Sequence, residues 1–240
     1  MNVKITIAYD GFDFCGSQKQ PNQNSVEDQL LKAFKRLNVE EKIILSGRTD
    51  KAVHATGQVF NIQLPKHFHN MNALKNTLNH HLPLSIRVLK ACVVCEDFHA
   101  RFSAKKRVYR YFITTKELSA FNARYITYVF CVNEEKIKNA IKLFLGEHDF
   151  EYFQKSGSDK HHFIKRIYEA RFYKYNGIYV FKFKANSYLR SQIRLMVGIL
   201  MEISKGKLEE HHLQEQLQKS KQHFKRPIEG NGLYLTKVVY

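Results

Sequence analysis

The sequence predicts an α+β chain of two lobes, residues 1–104 and 105–240, built on a largely antiparallel sheet flanked by helices. Three observations carry this expectation. Short runs with alternating, β-branched or aromatic character recur in both halves. Between them lie segments whose apolar residues return every three or four positions, the period of a helix. No low-complexity linker separates the halves, so the lobes are expected to share one continuous sheet.

The first half reads β-α-β-β-α-β. VKITIAY (3–9) alternates and predicts a strand. Ser25 with Asp28 three residues on resembles a capping box, and Val26, Leu30, Phe34 and Leu37 then share one helical face. KIILS (42–46) is a short strand that runs into the polar turn GRTDKAVHA, and GQVFNIQL (57–64) is the next strand. HNMNALKNTLNHHL (69–82) predicts a helix and SIRVLKACVVC (85–95) a strand.

The second half has similar parts. RVYRYFIT (107–114) and RYITYVFC (124–131) predict strands. Asn133 caps a helix with an apolar face of Ile137, Ala140, Ile141, Phe144 and Leu145. RIYEARFYKYN and GIYVFKFKA form a hairpin turning at Asn176-Gly177. A helix over 188–204 carries Leu189, Ile193, Met196, Val197, Leu200 and Met201 on its apolar side. A polar helix near 207–220 precedes the last strand, GLYLTKVVY (232–240). The plan is that of two ferredoxin-like (RRM-like) lobes.

The 240 residues are 44% hydrophobic, enough for a real core. Lys and Arg total 39 against 22 Asp and Glu, a net charge of +17. An excess this large favours a polyanionic partner, because clustered cations gain by displacing condensed counterions. Residues 1–104 hold 13 basic and 9 acidic side chains, and residues 105–240 hold 26 and 13, so phosphate contacts are expected mainly in the second half. The start MNVKITIAYD is too polar for a secretion signal and no apolar run is long enough to span a membrane, so a cytoplasmic protein is expected. Cys92 and Cys95 stand alone as a pair on a predicted strand, on opposite faces, and the histidines show no HExxH. No metal is expected, and the cysteines are expected to be buried free thiols.

The densest polar segment is Ser46-Gly47-Arg48-Thr49-Asp50-Lys51-Ala52-Val53-His54-Ala55, between two apolar strands. Such a turn presents side chains from a rigid scaffold. Asp50 is the only acid between Glu41 and Glu96 and is flanked by Arg48, Lys51 and His54. On the local residues alone, an aspartate that hydrogen-bonds within its own turn is the simpler reading. Likewise Tyr109, on one strand face with Tyr111, reads as core, and Arg190 and Arg194, four apart on one helical face, as solvated cations.

A wider match changes these readings. SGRTDKAVHATGQV (46–59) resembles SGRTDKGVHAxGQV, the signature of the TruA family of tRNA pseudouridine synthases. The resemblance continues in family order through YDG (9–11), GSQKQ (16–20), FHARFSAKKRVYRY (98–111), GEHDF (146–150), ANSYLRSQIRLMVGILMEI (185–203) and GLYLTKVVY (232–240). Ala52 replaces the family's usual Gly, which makes a positive φ less comfortable there. Ser17 replaces its usual Trp, Gln192-Ile193-Arg194 stands for MVR, and the common Ala-Pro pattern before GLYL is missing.

The resemblance implies a cofactor-free isomerase that converts uridine to pseudouridine at tRNA positions 38, 39 and 40 in the anticodon arm. It implies a homodimer gripping one tRNA, and a central active-site cleft. In that cleft Asp50 is the catalytic carboxylate, Tyr109 stacks on the target base and Arg194 pairs with Asp50. Arg48 helps extrude the base, Leu233 walls its pocket, and Arg190 and Lys51 bind substrate. A buried uridine must leave its stack to react. Two rivals remain in view. A non-catalytic RNA-binding protein with paired RRM-like lobes explains the charge but not GRTDKAVHA, and a metal-dependent nuclease needs several convergent acids where the motif has one.

Overall fold

The structure is a computed structural model describing residues 1–19, 24–155 and 162–240, so Gln20 of the GSQKQ string lies outside the described residues. The chain forms two compact units, Met1–Lys105 with Tyr234–Tyr240, and Lys106–Leu233. The fold is α+β and its strands pair mostly antiparallel.

In the first unit β1 (Asn2–Tyr9) leads to α1 (Val26–Lys35), β2 (Ile44–Leu45), β3 (His54–Gln63), α2 (Met71–His81) and β4 (Ile86–Val93). The predicted β-α-β-β-α-β order is present. β1 lies between β3 and β4, antiparallel to both, with Ile5 opposite Phe60 on one side and Ala91 on the other. Its alternation is that of a central strand: Val3, Ile5, Ile7 and Tyr9 are buried. The capping box of α1 is formed, the Ser25 hydroxyl accepting the Asp28 amide and the Asp28 carboxylate accepting the Ser25 amide. This satisfies two of the amides that a helix start leaves without partners. Val26, Leu30 and Phe34 then bury the helix face, with Phe34 edge-on to Phe60. Leu37 falls beyond the helix end and is half-buried.

The second unit comprises β5 (Lys106–Thr114), β6 (Thr127–Tyr128), α3 (Glu134–Ala140), β7 (Gly146–Asp149), β8 (Ile164–Tyr175), β9 (Ile178–Ala185), α4 (Gln192–Ser204) and α5 (Glu210–Leu217). Its sheet runs β5-β9-β8-β7, with β6 beside β5. The β8–β9 hairpin turns at Asn176 and Gly177, both at positive φ, as a tight right-twisted hairpin requires. The last strand, β10 (Leu233–Val239), returns to the first unit, where Tyr234 and Leu235 pair in parallel with His54 and Ala55 of β3.

Four expectations are corrected. The strand over 124–131 shrinks to Thr127–Tyr128: the chain ahead of it turns, with the Ala123 amide on the Ser119 carbonyl and the Tyr125 amide on the Asn122 carbonyl, and Asn231 takes the Ile126 carbonyl. The helix over 188–204 starts only at Gln192, because Ser191 adopts a left-handed φ of 58°. Leu145 lies past a short 3₁₀ turn and is exposed, so it is no part of the apolar face of α3. The cysteines are free but not buried: Cys15 and Cys92 are half-buried, and Cys95 and Cys131 are exposed. β7 falls in GEHD, a polar run without the alternation that marks a strand. Among the described residues no helix is long and apolar enough to cross a membrane.

Candidate active site

The polar loop that joins β2 to β3 carries Arg48, Asp50 and Lys51 in the first unit. Arg48 and Lys51 are exposed and Asp50 is half-buried, whereas Ser46, Thr49 and Val53 between and around them are buried. The buried members are tied down one by one. The Ser46 hydroxyl donates to Gln58 Oε1 at 2.6 Å, and Gln58 Nε2 donates to the Gly47 carbonyl at 2.9 Å. Thr49 donates its amide to Ser17 Oγ at 2.8 Å, and its carbonyl accepts the Ser17 amide at 3.1 Å. The Thr49 hydroxyl meets the Tyr9 phenol at 2.9 Å. The loop thus buries Ser46, Thr49 and Val53, leaves Arg48 and Lys51 exposed and keeps Asp50 half-buried.

The segment after β1 is shaped to this loop. A side chain on Gly11 would collide with the Val53 carbonyl, and one on Gly16, at φ 110°, would sit 2.9 Å from the Thr49 carbonyl. The Val53 amide closes a turn onto the Asp50 carbonyl at 3.2 Å. Ala52, inside that turn, has a φ of 62°, the left-handed region where a Cβ is penalised. Past the turn, His54 is buried, with Nδ1 3.0 Å from the Gly11 amide and 3.1 Å from Asp10 Oδ1. One ring nitrogen serves one of these partners at a time: bare, it accepts from Gly11, and protonated, it donates to Asp10. Beneath the loop, burial pushes the Tyr9 phenol up to about 12, against the Thr49, Gln58 and Ser17 hydrogen bonds that pull it down.

The other sequence-derived site residues belong to the second unit. Tyr109 on β5 is buried, edge-on to Tyr188 at 5.2 Å between centroids, and shares its strand face with Tyr111 as expected. Tyr111 bonds Thr127 Oγ1 at 2.8 Å and donates to the Glu229 carbonyl at 2.7 Å. Burial raises the phenols of Tyr111 and Tyr188 far above their ordinary range. Arg194, half-buried on α4, donates from Nε to the Ile228 carbonyl at 2.6 Å. Arg190 is exposed and precedes the helix, so the expected common helical face with Arg194 is not formed. Leu233 is buried at the start of β10.

The outer face of the second unit's sheet is cationic. Arg110, Lys182 and Arg171 lie directly opposite one another across β5, β9 and β8. Glu169 takes Lys182 Nζ at 2.8 Å and Arg171 Nε at 3.1 Å. Burial pushes the Glu169 carboxyl up, but the Lys182 hydrogen bond and the surrounding Lys182, Arg171 and Lys184 charges more than reverse this and hold it below its ordinary value. Among the described residues no group of three or more His, Cys, Asp or Glu side chains could hold a metal ion.

Sequence reasoning marked Arg48, Asp50 and Lys51 but missed the side chains that hold their loop. Tyr9 and Gln58 lie inside the YDG and GQV strings, where they read only as strand residues, and Ser17 stands out only as a departure from the family's usual Trp, not as a partner of the loop.

A family model for tRNA pseudouridine synthase matches residues 5–103 and 140–240. Tyr9, the Asp50 loop, Arg194 and β10 fall inside the match. A Helicobacter hepaticus protein named tRNA pseudouridine synthase A is 40% identical, with 99% of this chain and 98% of that protein covered. Proteins of the same name from Wolinella succinogenes and Campylobacter jejuni are 38% and 37% identical, over 98% and 100% of this chain and 92% and 100% of their own lengths. The chain belongs to the tRNA pseudouridine synthase family. It is an isomerase that converts uridine in tRNA to pseudouridine.

Proposed function

We propose that this enzyme modifies positions 38, 39 and 40 of the anticodon arm, with Asp50 as its catalytic carboxylate and a homodimer gripping the tRNA. The observation that supports this reading is a half-buried Asp50 between exposed Arg48 and Lys51 on a loop whose buried residues are each hydrogen-bonded. The reaction breaks the N1–C1′ bond, turns the base and joins C5 to C1′. C5 gives up a proton and N1 gains one, so product and substrate are isomers and neither oxidant nor cofactor is consumed. A carboxylate serves by trapping or stabilising the ribose at C1′, as in glycoside chemistry, or by removing a ribose proton. Tyr109 stacks on the extruded uracil, Arg194 pairs with Asp50, and Leu233 walls the base. Arg48 takes the place of the extruded base, and Lys51 and Arg190 hold neighbouring phosphates.

The test is to incubate unmodified tRNA with wild-type protein and with Asp50→Asn, without any added cofactor, and to map pseudouridine. Wild type should modify 38–40 and nothing else. Asp50→Asn should form none while its tRNA affinity stays within about tenfold, roughly 1.4 kcal/mol. Turnover by the Asn variant refutes the role of Asp50, and modification elsewhere refutes the site.

A further inference from the structure

We infer that Ser17 is a positioning residue for the reaction: its hydroxyl and amide clamp Thr49 and thereby fix the backbone from which Asp50 projects. The inference rests on the proposed role of Asp50. Ser17 is fully buried. Its Oγ accepts the Thr49 amide at 2.8 Å and its own amide donates to the Thr49 carbonyl at 3.1 Å. Both backbone groups of the residue preceding Asp50 are therefore held by one serine. The Thr49 side chain is held from another direction by the Tyr9 phenol at 2.9 Å, and Ser17 reaches that phenol as well.

This arrangement does more than stabilise a turn. Two fixed points on Thr49, with the Asp50–Val53 turn following directly, leave the Asp50 Cα little freedom. Gly16 brings Ser17 into range, because its φ of 110° and its closeness to the Thr49 carbonyl leave no room for a side chain. The polar groups lie in a buried layer where each bond strengthens its neighbours and where an amide that loses its acceptor has no water to turn to. A carboxylate that must meet one carbon of a ribose tolerates little displacement: a shift of about 1 Å costs on the order of 100-fold in rate. Ser17 itself, being fully buried, is not a group that touches tRNA.

Single-turnover rates with saturating enzyme, tRNA affinities and circular dichroism melts are compared for wild type, Ser17→Ala, Ser17→Thr, Tyr9→Phe and Asp50→Asn, with rates taken at a temperature where every variant is folded. Ser17→Ala should lose about 10- to 100-fold in rate while its tRNA affinity changes by less than about twofold. Ser17→Thr, which keeps the hydroxyl, should recover most of the rate. Tyr9→Phe, which removes the phenol's bonds to Thr49, Gln58 and Ser17 but leaves both Thr49 backbone bonds to Ser17, should show a smaller loss of the same kind. A folded Ser17→Ala with wild-type rate overturns the inference, and so does a parallel loss of rate and affinity. If Ser17→Ala does not fold, Tyr9→Phe decides, and its unchanged rate overturns the inference. Asp50→Asn keeps the two readings apart. An active Asn variant removes the premise, whereas a dead Asn variant beside a fully active Ser17→Ala removes only the clamp.

Discussion

The imidazole of His54 lies against the ring of Tyr234, with centroids 4.7 Å apart and planes inclined by 25°. The two residues are also partners in the parallel β3–β10 ladder. The stack joins the last strand of the chain to the residue at which the Asp50 loop re-enters the sheet. An aromatic pair of this kind contributes about 0.5–1.5 kcal/mol beyond the area it buries. Tyr234→Leu should therefore lower the melting temperature by roughly 2–5 °C for a chain of this size. In a double-mutant cycle with His54→Ala the two losses should not add, and strict additivity would show that the rings do not support each other.

Ala52 carries the clearest backbone strain near the site, with a φ of 62°. An L-residue pays about 1–2 kcal/mol in this region and glycine does not. Against that, glycine costs entropy in the unfolded chain, so Ala52→Gly should stabilise by about 0.5–1 kcal/mol net. Denaturant unfolding measures this directly, and a destabilised glycine variant would mean that the turn relaxes in solution.

Tyr188 is the one side chain among the described residues whose buried polar atom has no hydrogen-bond partner. An unmade hydrogen bond of a buried hydroxyl costs about 1–3 kcal/mol, while the edge-on contact with Tyr109 needs only the ring. Tyr188→Phe should be as stable as wild type or more stable by up to about 2 kcal/mol. A marked loss of stability in denaturant melts would show that the hydroxyl is bonded in the folded protein.

Much of this fold was legible because its signals are local. Ser25 and Asp28 cap α1 three residues apart, and Asn176-Gly177 turns the hairpin without help from elsewhere. What escaped depends on partners remote in sequence. Asn231 takes the carbonyls of Ala123 and Ile126, just ahead of Thr127–Tyr128, from more than a hundred residues away, and no pattern within 124–131 reports it. The left-handed Ser191 that delays α4 sits in a segment whose apolar spacing is helical throughout. The site divides the same way. Arg48, Asp50 and Lys51 stand out as charges in one turn, but the Ser17–Thr49 bond spans 32 residues and a single serine has no period.

Burial of tyrosines gives the protein an alkaline weakness. Tyr9 is pushed up to about 12 by burial, so it stays protonated in the fold at pH values where an unfolded tyrosine has ionised. Its contribution is complete below the unfolded value near 10 and is lost as pH rises from there toward 12. Tyr111 and Tyr188, raised for the same reason, act in the same direction. Stability in urea should fall steeply above pH 10, by up to about 1.4 kcal/mol per pH unit for each buried tyrosine. Tyr9→Phe should flatten that fall, and an unchanged slope would show that Tyr9 ionises freely.

Arg110, Lys182 and Arg171 form a row of like charges across three adjacent strands, an arrangement that costs stability when the charges face one another. Glu169 bridges Lys182 and Arg171 but no bond from it to Arg110 accompanies these, so Arg110 meets Lys182 as a cation facing a cation. Replacing Arg110 with Gln should therefore leave the protein as stable as before or slightly more stable. If the row serves a polyanion, the same change should weaken tRNA binding and reduce the salt dependence. Each phosphate that is no longer neutralised lowers the log–log slope of affinity against salt by about 0.7–0.9. Arg171→Gln, which removes the outermost cation, should do the same, whereas Lys90→Gln, on β4 of the other unit, should leave the slope alone. The measurement is tRNA affinity from about 50 to 300 mM salt for the three variants, a range over which phosphate neutralisation dominates the change. An Arg110→Gln slope equal to that of wild type would mean that the row meets no phosphate. Its charges would then have to be explained by the sheet itself, and a gain in stability on removing one would argue against that.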